Sequence, residues 1–434
     1  MSNSKAKWGA DGSELPIIDP HTKAKHQIIE EYIENLIITL YGKTRYGEQT
    51  FTFIDGFCGG GMYDDQEYSR KWEGSPIRII KAVRSAYKKC KRKYQLNVKY
   101  IFIDNKKNHI DCLKNYSMLE AGLEELVNEQ EHKISGDLGS LIEQCEFFCS
   151  DFENIVSHCI NIAENRKGHS FFLIDPFGWS HVSMNSIRRI NTLKGSEILY
   201  TYMIRDLKRF VIGKNGIDTV NFNKILEASG YYESENLKLF DRVSGQRYLR
   251  NESLRLFRDK GNTKHIHTFS LIPKGYIDVL YYLMHFSQNI TALQVMKETL
   301  WKYNNLHHLF EFKVYGFGLK TIDYYEQQPK LDFCIESSLE NHESCINLLE
   351  KDLGQNIING YEATFGQICN DYMEKHPATK DHFEYLLINR LLQDKEIEII
   401  RKDKIVRERY VKNLQKKDII RCTGNKQLYF NFKY

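Results

Sequence analysis

The chain has 434 residues, 27% charged and 41% hydrophobic, with a formal net charge of +4, a composition that suits a globular protein with two or more cores and gives no global polyanion-binding signal. No run of 18 apolar residues occurs and the opening MSNSKAKWGADGSELP is polar, so neither a membrane span nor a signal peptide is expected, and a cytoplasmic location without a membrane partner follows. The ten cysteines contain no C-x-x-C, and Phe152 stands where a third thiolate would follow Cys145 and Cys149, so no disulfide framework, zinc site or iron–sulfur cluster is expected.

In chain order, HTKAKHQIIEEYIENLIITLYG carries Ile28, Ile29, Tyr32, Ile33, Leu36, Ile37 and Leu40 at helical spacing and stops at Gly42. FTFIDGFCGGG (residues 51–61) predicts a strand that ends on Asp55 and opens into a glycine loop. A helix follows, begun by Ser75 and Pro76 and carrying Ile79, Ile80, Val83 and Tyr87. NVKYIFIDNK predicts a second strand ending on Asp104, CEFFCSD a third, SFFLIDPFG a fourth and SEILYTYM a fifth, with amphipathic helices between them. Apolar strands alternating with helices predict a largely parallel sheet with right-handed crossovers, an α/β fold.

Residues 204–264 read as a charged, helical insertion. HIHTFSLIPKGYIDVLYYLMHFSQN predicts an antiparallel pair closing the sheet, and TALQVMKETLWKYNN a helix. These elements make up a domain over residues 1–340. Over residues 341–434, two helices begun at Thr364 and Thr379 precede a hairpin expected to turn at Gly424–Asn425, which suggests a winged helix-turn-helix. Two basic runs, YKKCKRKY and RKDKIVRERYVKNLQKK, suit either solvated helix ends or nucleic-acid contacts.

The strand ends carry the chemistry. In DGFCGGG the glycines permit close backbone approach and Asp55 supplies an acceptor; Asp104 ends the next strand, where a carboxylate accepts both hydroxyls of a ribose, and Ser150-Asp151 suits an adenine amino group. No G-x-x-x-x-G-K-[ST] cradle is present, so an adenosyl ligand without phosphates, S-adenosyl-L-methionine, is the expected cofactor. At the fourth strand end, Asp175, Pro176 and Phe177 could hold and stack a planar amine, or simply form a turn before Gly178. His21, Lys25 and His26 turn either toward this mouth or into solvent, and Trp179 and His181 lie just beyond it. Scattered acids could in principle gather Mg2+, but no compact D-x-x-E-x-K cluster supports a nuclease and no metal site is expected.

Together, HTKAKHQIIEEYI, FIDGFCGGGMY with EGSP, IFID and LIDPFG resemble the three-Cys-motif partner protein (TcmP) family, bacterial proteins often encoded beside a radical-SAM-like three-Cys-motif protein. The resemblance spans roughly residues 20–304, and the tail is similar to the winged-helix domain of many members. It implies a Rossmann-like class I methyltransferase fold. It would make Asp55, Gly56, Gly59 and Gly61 the methionine-side loop, Asp104 the ribose acid, Asp151 the adenine contact and residues 175–178 the acceptor side, with Phe57 and His26 also among the cofactor-binding residues and Asp175, Pro176 and Phe177 the catalytic ones. The implied activity is methyl transfer to nucleic acid in a bacterial antiviral-defence or mobile-element context; the alternative is a non-catalytic cofactor- or DNA-binding partner of a three-Cys-motif protein. Two departures stand out: Cys58 and Gly60 replace a usual alanine and proline, and DPFG lacks the second proline of amino-methyltransferase motifs.

Overall fold

In a computed structural model of the full chain, the described residues are 6–42, 49–90, 94–135, 139–176, 178–204, 216–233, 242–272, 279, 281–303, 318–320, 342–406 and 411–424. The chain divides into two compact units, Met1–Leu300 with Gly318–Gln328, and Trp301–Phe317 with Pro329–Tyr434.

The first unit contains β1 (Gln49–Asp55), β2 (Met62–Asp65), β3 (Arg70–Glu73), β4 (Leu96–Asp104), β5 (His132–Ser135), β6 (Ser140–Cys149), β7 (His169–Ile174), β8 (Ser196–Tyr202), β9 (His265–Ile272), β10 (Tyr281–Ser287) and β11 (Gly318–Lys320). Its helices are α1 (Pro20–Leu40), α2 (Ser75–Lys89), α3 (Lys107–Cys112), α4 (Phe152–Arg166), α5 (Met184–Thr192), α6 (Gly216–Leu226), α7 (Arg242–Gly261) and α8 (Ile290–Trp301).

Nine strands form one sheet in the order β11-β9-β10-β8-β7-β1-β4-β6-β5. β6, β4, β1, β7 and β8 run parallel. β10 lies antiparallel between β8 and β9, so the expected antiparallel closure is present, and β5 adds an antiparallel edge that the sequence pattern did not announce. The result is a mixed α/β fold on a mostly parallel sheet. Its parallel strands are apolar almost throughout because helices cover both faces; Phe53, Ile101, Phe172 and Ile198 are all essentially inaccessible.

From β1 the chain steps outward through β4 and β6, then returns to the other side of β1 as β7 and β8. The order therefore reverses between β1 and β7, and a crevice forms at such a point beyond the carboxyl ends of the strands. Asp55, Asp104, Asp151 and Asp175 all lie at those ends, on or just after β1, β4, β6 and β7.

α1 buries Ile28, Ile29, Tyr32, Ile33, Leu36 and Ile37, as the spacing predicts. Ser75 is the first residue of α2 rather than its cap, a position taken by Gly74. Its hydroxyl donates instead to Asp55 Oδ2 at 2.6 Å. Within residues 204–264, α7 joins the layer that covers the sheet. Its Leu256 and Phe257 are fully buried, and the Phe257 ring meets Tyr200, Tyr202 and Phe286 edge-on or tilted at 5.1–5.8 Å.

The second unit has a helix over residues 342–358 (α9), β12 (Ala363–Thr364), α10 (Phe365–Tyr372), α11 (Lys380–Glu384, continued as a wider turn through Tyr385–Leu392), β13 (Ile397–Arg401), β14 (Lys404–Ile405) and β15 (Ile419–Cys422). Thr364 caps α10 in a reciprocal box with Gln367. The strands are ordered β12-β15-β13-β14. The tight hairpin joins β13 to β14 through Lys402 and Asp403, both at positive φ. β15 pairs with β12 and β13, and the far arm of the hairpin expected at Gly424–Asn425 lies outside the described residues.

Phe257→Ala should lower unfolding free energy by about 3–5 kcal/mol, the cost of emptying a large aromatic site in a sheet core. Urea titration followed by circular dichroism checks this; a loss under about 1 kcal/mol would show that α7 stands apart from the core.

Candidate functional site

Asp55, the last residue of β1, has no exposed surface. Besides the Ser75 hydroxyl, the Phe57 amide donates to its Oδ1 at 3.2 Å. Burial raises its pKa to about 7; the Ser75 and Phe57 hydrogen bonds oppose that rise, and the charges of Asp175 and Asp104 add to it. These carboxylates therefore face a common region at the switch point.

Asp104 is nearly buried, and its oxygens already have protein partners. The Gly59 amide donates to Oδ2 at 3.2 Å, the Lys106 amide donates to Oδ1 at 2.9 Å, and His109 Nδ1 lies 2.9 Å from Oδ1. A carboxylate offers about four lone-pair positions, so these contacts leave capacity for a further donor. Asp151 is exposed beside it, and Asn105 Nδ2 donates to its Oδ1 at 2.8 Å.

The glycine loop makes close approaches, but to the protein's own side chains. A Cβ at Gly60 would fall 2.3 Å from the Trp8 indole, and one at Gly59, which has φ +59°, 2.9 Å from it. Trp8 is held there by its Nε1–H donating to the Met62 carbonyl at 2.6 Å and by edge contacts with Tyr63 and His109. Gly61, at φ +78°, meets Leu113 and Ser117, and Gly56 meets the Phe152 ring. Each of these glycines is thus required by packing, and nothing in the sequence identified Trp8 as the partner.

Cys58 is buried, and burial followed by the nearby Asp55 and Asp104 charges raises its thiol pKa well above the ordinary value. It is a packed thiol rather than a nucleophile at neutral pH. The β2–β3 hairpin that follows the loop, unforeseen in the sequence, carries Tyr63 over the region. Burial and then the charges of Asp175, Asp55, Cys58 and Asp104 raise the Tyr63 pKa.

On the opposite side, Asp175 follows β7 and its carboxylate pairs with the Lys25 ammonium from α1. Asp175 is partly exposed; Lys25 is nearly buried and lies 5.5 Å from the centroid of the Tyr281 ring. His21, one turn earlier, packs 5.8 Å from the same ring. Burial and then Lys25 depress the His21 pKa to about 4, so it is neutral at physiological pH. His21 and Lys25 therefore reach the mouth of the site. His26 does not: it is buried, accepts from Trp72 Nε1 at 3.2 Å and packs against Tyr63, so it forms part of the wall. Pro176 is buried, Phe57 packs on Phe152 and lies near His181, and Phe177 lies outside the described residues. Among the described residues, no cluster of three His, Cys, Asp or Glu side chains is arranged to hold a metal ion, and no helix is long and apolar enough to cross a membrane.

No family model matches the chain, and no curated protein does. A solved structure, protein LPL1258 from Legionella pneumophila str. Philadelphia 1 (family-model DUF519), aligns over 64% of this chain and 92% of its own at 10% identity. Its TM-score of 0.33 carries no argument about fold or function.

The raised Asp55 pKa fixes a sign. Between the ordinary value of 3.8 and about 7 the folded chain binds a proton that the unfolded chain releases, so stability is lost as pH rises through that window. Asp55→Asn should therefore gain stability relative to the native chain by about 1–4 kcal/mol more at pH 8 than at pH 4. Denaturant titrations at the two pH values check this, and a difference independent of pH would contradict it.

Proposed function

We propose that the first unit is a Rossmann-like, class I methyltransferase-like domain that binds S-adenosyl-L-methionine at the β1/β7 switch point and transfers its methyl group to nucleic acid. The observation that carries this reading is the convergence of Asp55, Asp104 and Asp175 at the carboxyl rim, where burial raises the Asp55 pKa and the charges of Asp175 and Asp104 add to the rise. A ligand bearing cationic sulfonium and ammonium groups relieves that charge, and an adenosyl group offers hydroxyls and an amine to Asp104 and Asp151. The mostly parallel sheet with an antiparallel strand near one edge is the architecture that the resemblance to the three-Cys-motif partner family implies.

When bound, adenosylmethionine supplies an electrophilic methyl group. The chain's own contribution is positioning: Asp104 takes the ribose hydroxyls, Asp151 the adenine amine, and Asp55 lies under the charged end of the ligand. Asp175 gives one oxygen to Lys25 and keeps the other for an N–H of the acceptor. Neutral His21, its pKa lowered to about 4 by burial and Lys25, is too weak a base to retain the proton released on alkylation, which leaves to solvent beside the partly exposed Asp175.

The second unit supports a nucleic-acid partner. Its order of helix, short strand, two helices and three further strands, all four strands lying in one sheet in the order β12-β15-β13-β14, suits a winged helix. Lys402, Lys404, Lys412, Lys416 and Lys417 are exposed around the β13–β15 connection and suit phosphate contacts. Arg401, by contrast, is structural: it grips Asp418 at 2.6 Å and donates to the Asn413 carbonyl at 2.9 Å.

A second reading, a non-catalytic partner of a three-Cys-motif protein, is favoured by one observation. The Trp8 indole covers Gly59 and Gly60, the surface that the methionine end of the ligand would use. Calorimetry with adenosylmethionine and adenosylhomocysteine separates the two readings. In the methyltransferase reading both ligands bind, Asp104→Ala abolishes binding, and Asp175→Ala leaves binding intact while removing transfer of tritiated methyl groups to DNA or RNA. Tight binding without transfer to any acceptor supports a partner that only holds the cofactor; no binding to the native chain overturns the methyltransferase reading and leaves the partner reading that the Trp8 cover favours.

A further inference from the structure

Residues 6–17 run over the surface before α1, and Trp8, at 3% exposed, is the only one of them that is buried. At the base of this segment the backbone is paired: the Asp64 amide of β2 donates to the Pro16 carbonyl at 2.9 Å, and the Ile18 amide donates to the Asp64 carbonyl at 2.9 Å. Above that base the chain closes a turn on itself. The Gly9 amide donates to the Glu14 carbonyl at 2.9 Å, the Gly12 amide to the Gly9 carbonyl at 3.0 Å, and the Ser13 amide to the Asp11 carboxylate at 3.0 Å. Gly12, at φ +78°, lies flat against the Tyr116 ring.

The far end is pinned by the indole. Trp8 Nε1–H donates to the Met62 carbonyl at 2.6 Å, and the ring stands edge-on to Tyr63 at 5.2 Å and to His109 at 4.6 Å. A segment with one buried side chain has little apolar contact to resist local opening, so loss of this one packed ring frees the turn down to its paired base.

The ring divides the rim into a closed half and an open half. Gly59, Gly60 and Gly61 are buried, two of them beneath the indole, so backbone that glycine would leave open to a ligand is covered by protein. Asp151 is exposed, and the Asp104 side chain keeps 9% of its surface. His109, which the indole touches, lies with its Nδ1 2.9 Å from Asp104 Oδ1, so Trp8 stands at the boundary between the two halves.

We propose that residues 6–15 are a strap pinned by Trp8, so that the closed chain takes the adenosyl half of a ligand alone and an amino-acid tail enters only when the indole leaves Gly59 and Gly60. The inference rests on the adenosyl reading of the rim and adds which ligands the closed chain discriminates. Trp8 is then a specificity-determining residue. A ligand with the tail meets an apparent dissociation constant raised by the inverse of the open fraction, whereas adenosine does not.

The test is calorimetry of the full chain and of Trp8→Ala with adenosine and adenosylhomocysteine. The variant should bind adenosylhomocysteine about tenfold or more tighter than the native chain does and leave adenosine affinity unchanged, so the ratio of the two affinities shifts by that factor. Trp8→Phe, which keeps a ring but loses the tie to Met62, should fall between. Hydroxyl-radical footprinting of the native chain gives a second readout: adenosylhomocysteine should raise modification of Trp8, and adenosine should not. Thermal unfolding identifies a variant that fails to fold, and the footprint on the native chain then decides. A ratio that Trp8→Ala leaves within about threefold, or a Trp8 that stays protected under saturating adenosylhomocysteine, overturns the strap and leaves the adenosyl reading standing. If neither ligand binds the native chain or the variant, the adenosyl reading fails and the strap with it.

Discussion

A carboxylate with no exposed surface sits at the end of β1, the middle of the five parallel strands, and much of the carboxyl rim is arranged around it. Asp55 has water on neither side; it is supported by one hydroxyl and one amide, and the neighbouring Asp104 and Asp175 charges oppose its ionisation. Burying such a group is expensive unless its surroundings compensate. The surroundings here are specific: Ser75 at the first turn of α2, the Gly59 amide spent on Asp104, and Lys25 of α1 paired with Asp175. Three separate segments of chain are thereby drawn to one place, the point where the sheet order reverses.

The glycine loop shows why a motif is not yet a site. Gly59 and Gly61 adopt positive φ, and side chains at Gly56, Gly59, Gly60 and Gly61 would collide with neighbours. What they approach, however, is Phe152, Trp8, Leu113 and Ser117. A loop of this kind can serve a ligand only on surface that those residues leave open or give up, and Trp8 governs the largest part of it.

The parallel strands were legible because residues buried on both faces read as continuous apolar runs, and four of the five runs, all but β8, ended on or just before the acid that the structure puts at the rim. α1 was legible from its 3.6-residue period, and the antiparallel β9–β10 pair from two apolar runs around a Pro-Lys-Gly turn. The β2–β3 hairpin was not, because MYDD and RKWE are too short and polar to alternate. α7 looked like an insertion because its surface is heavily charged, whereas Leu249, Leu256 and Phe257 fix it to the sheet. Of the site residues, position in sequence located Asp55, Asp104 and Asp175. The pairing of Lys25 with Asp175, the cover by Trp8 and the burial of His26 depend on contacts across 46 to 150 residues, which spacing along the chain does not encode.

The central claim is that acids from separate strand ends hold one adenosyl ligand. A crystal structure of the chain with adenosylhomocysteine tests it most directly. The account requires the ribose hydroxyls on Asp104, the adenine beside Asp151, and the Trp8 ring moved off or stacked along the ligand. A ligand bound elsewhere, or a rim unchanged with the indole still seated on Gly59 and Gly60 at saturating concentration, would contradict it.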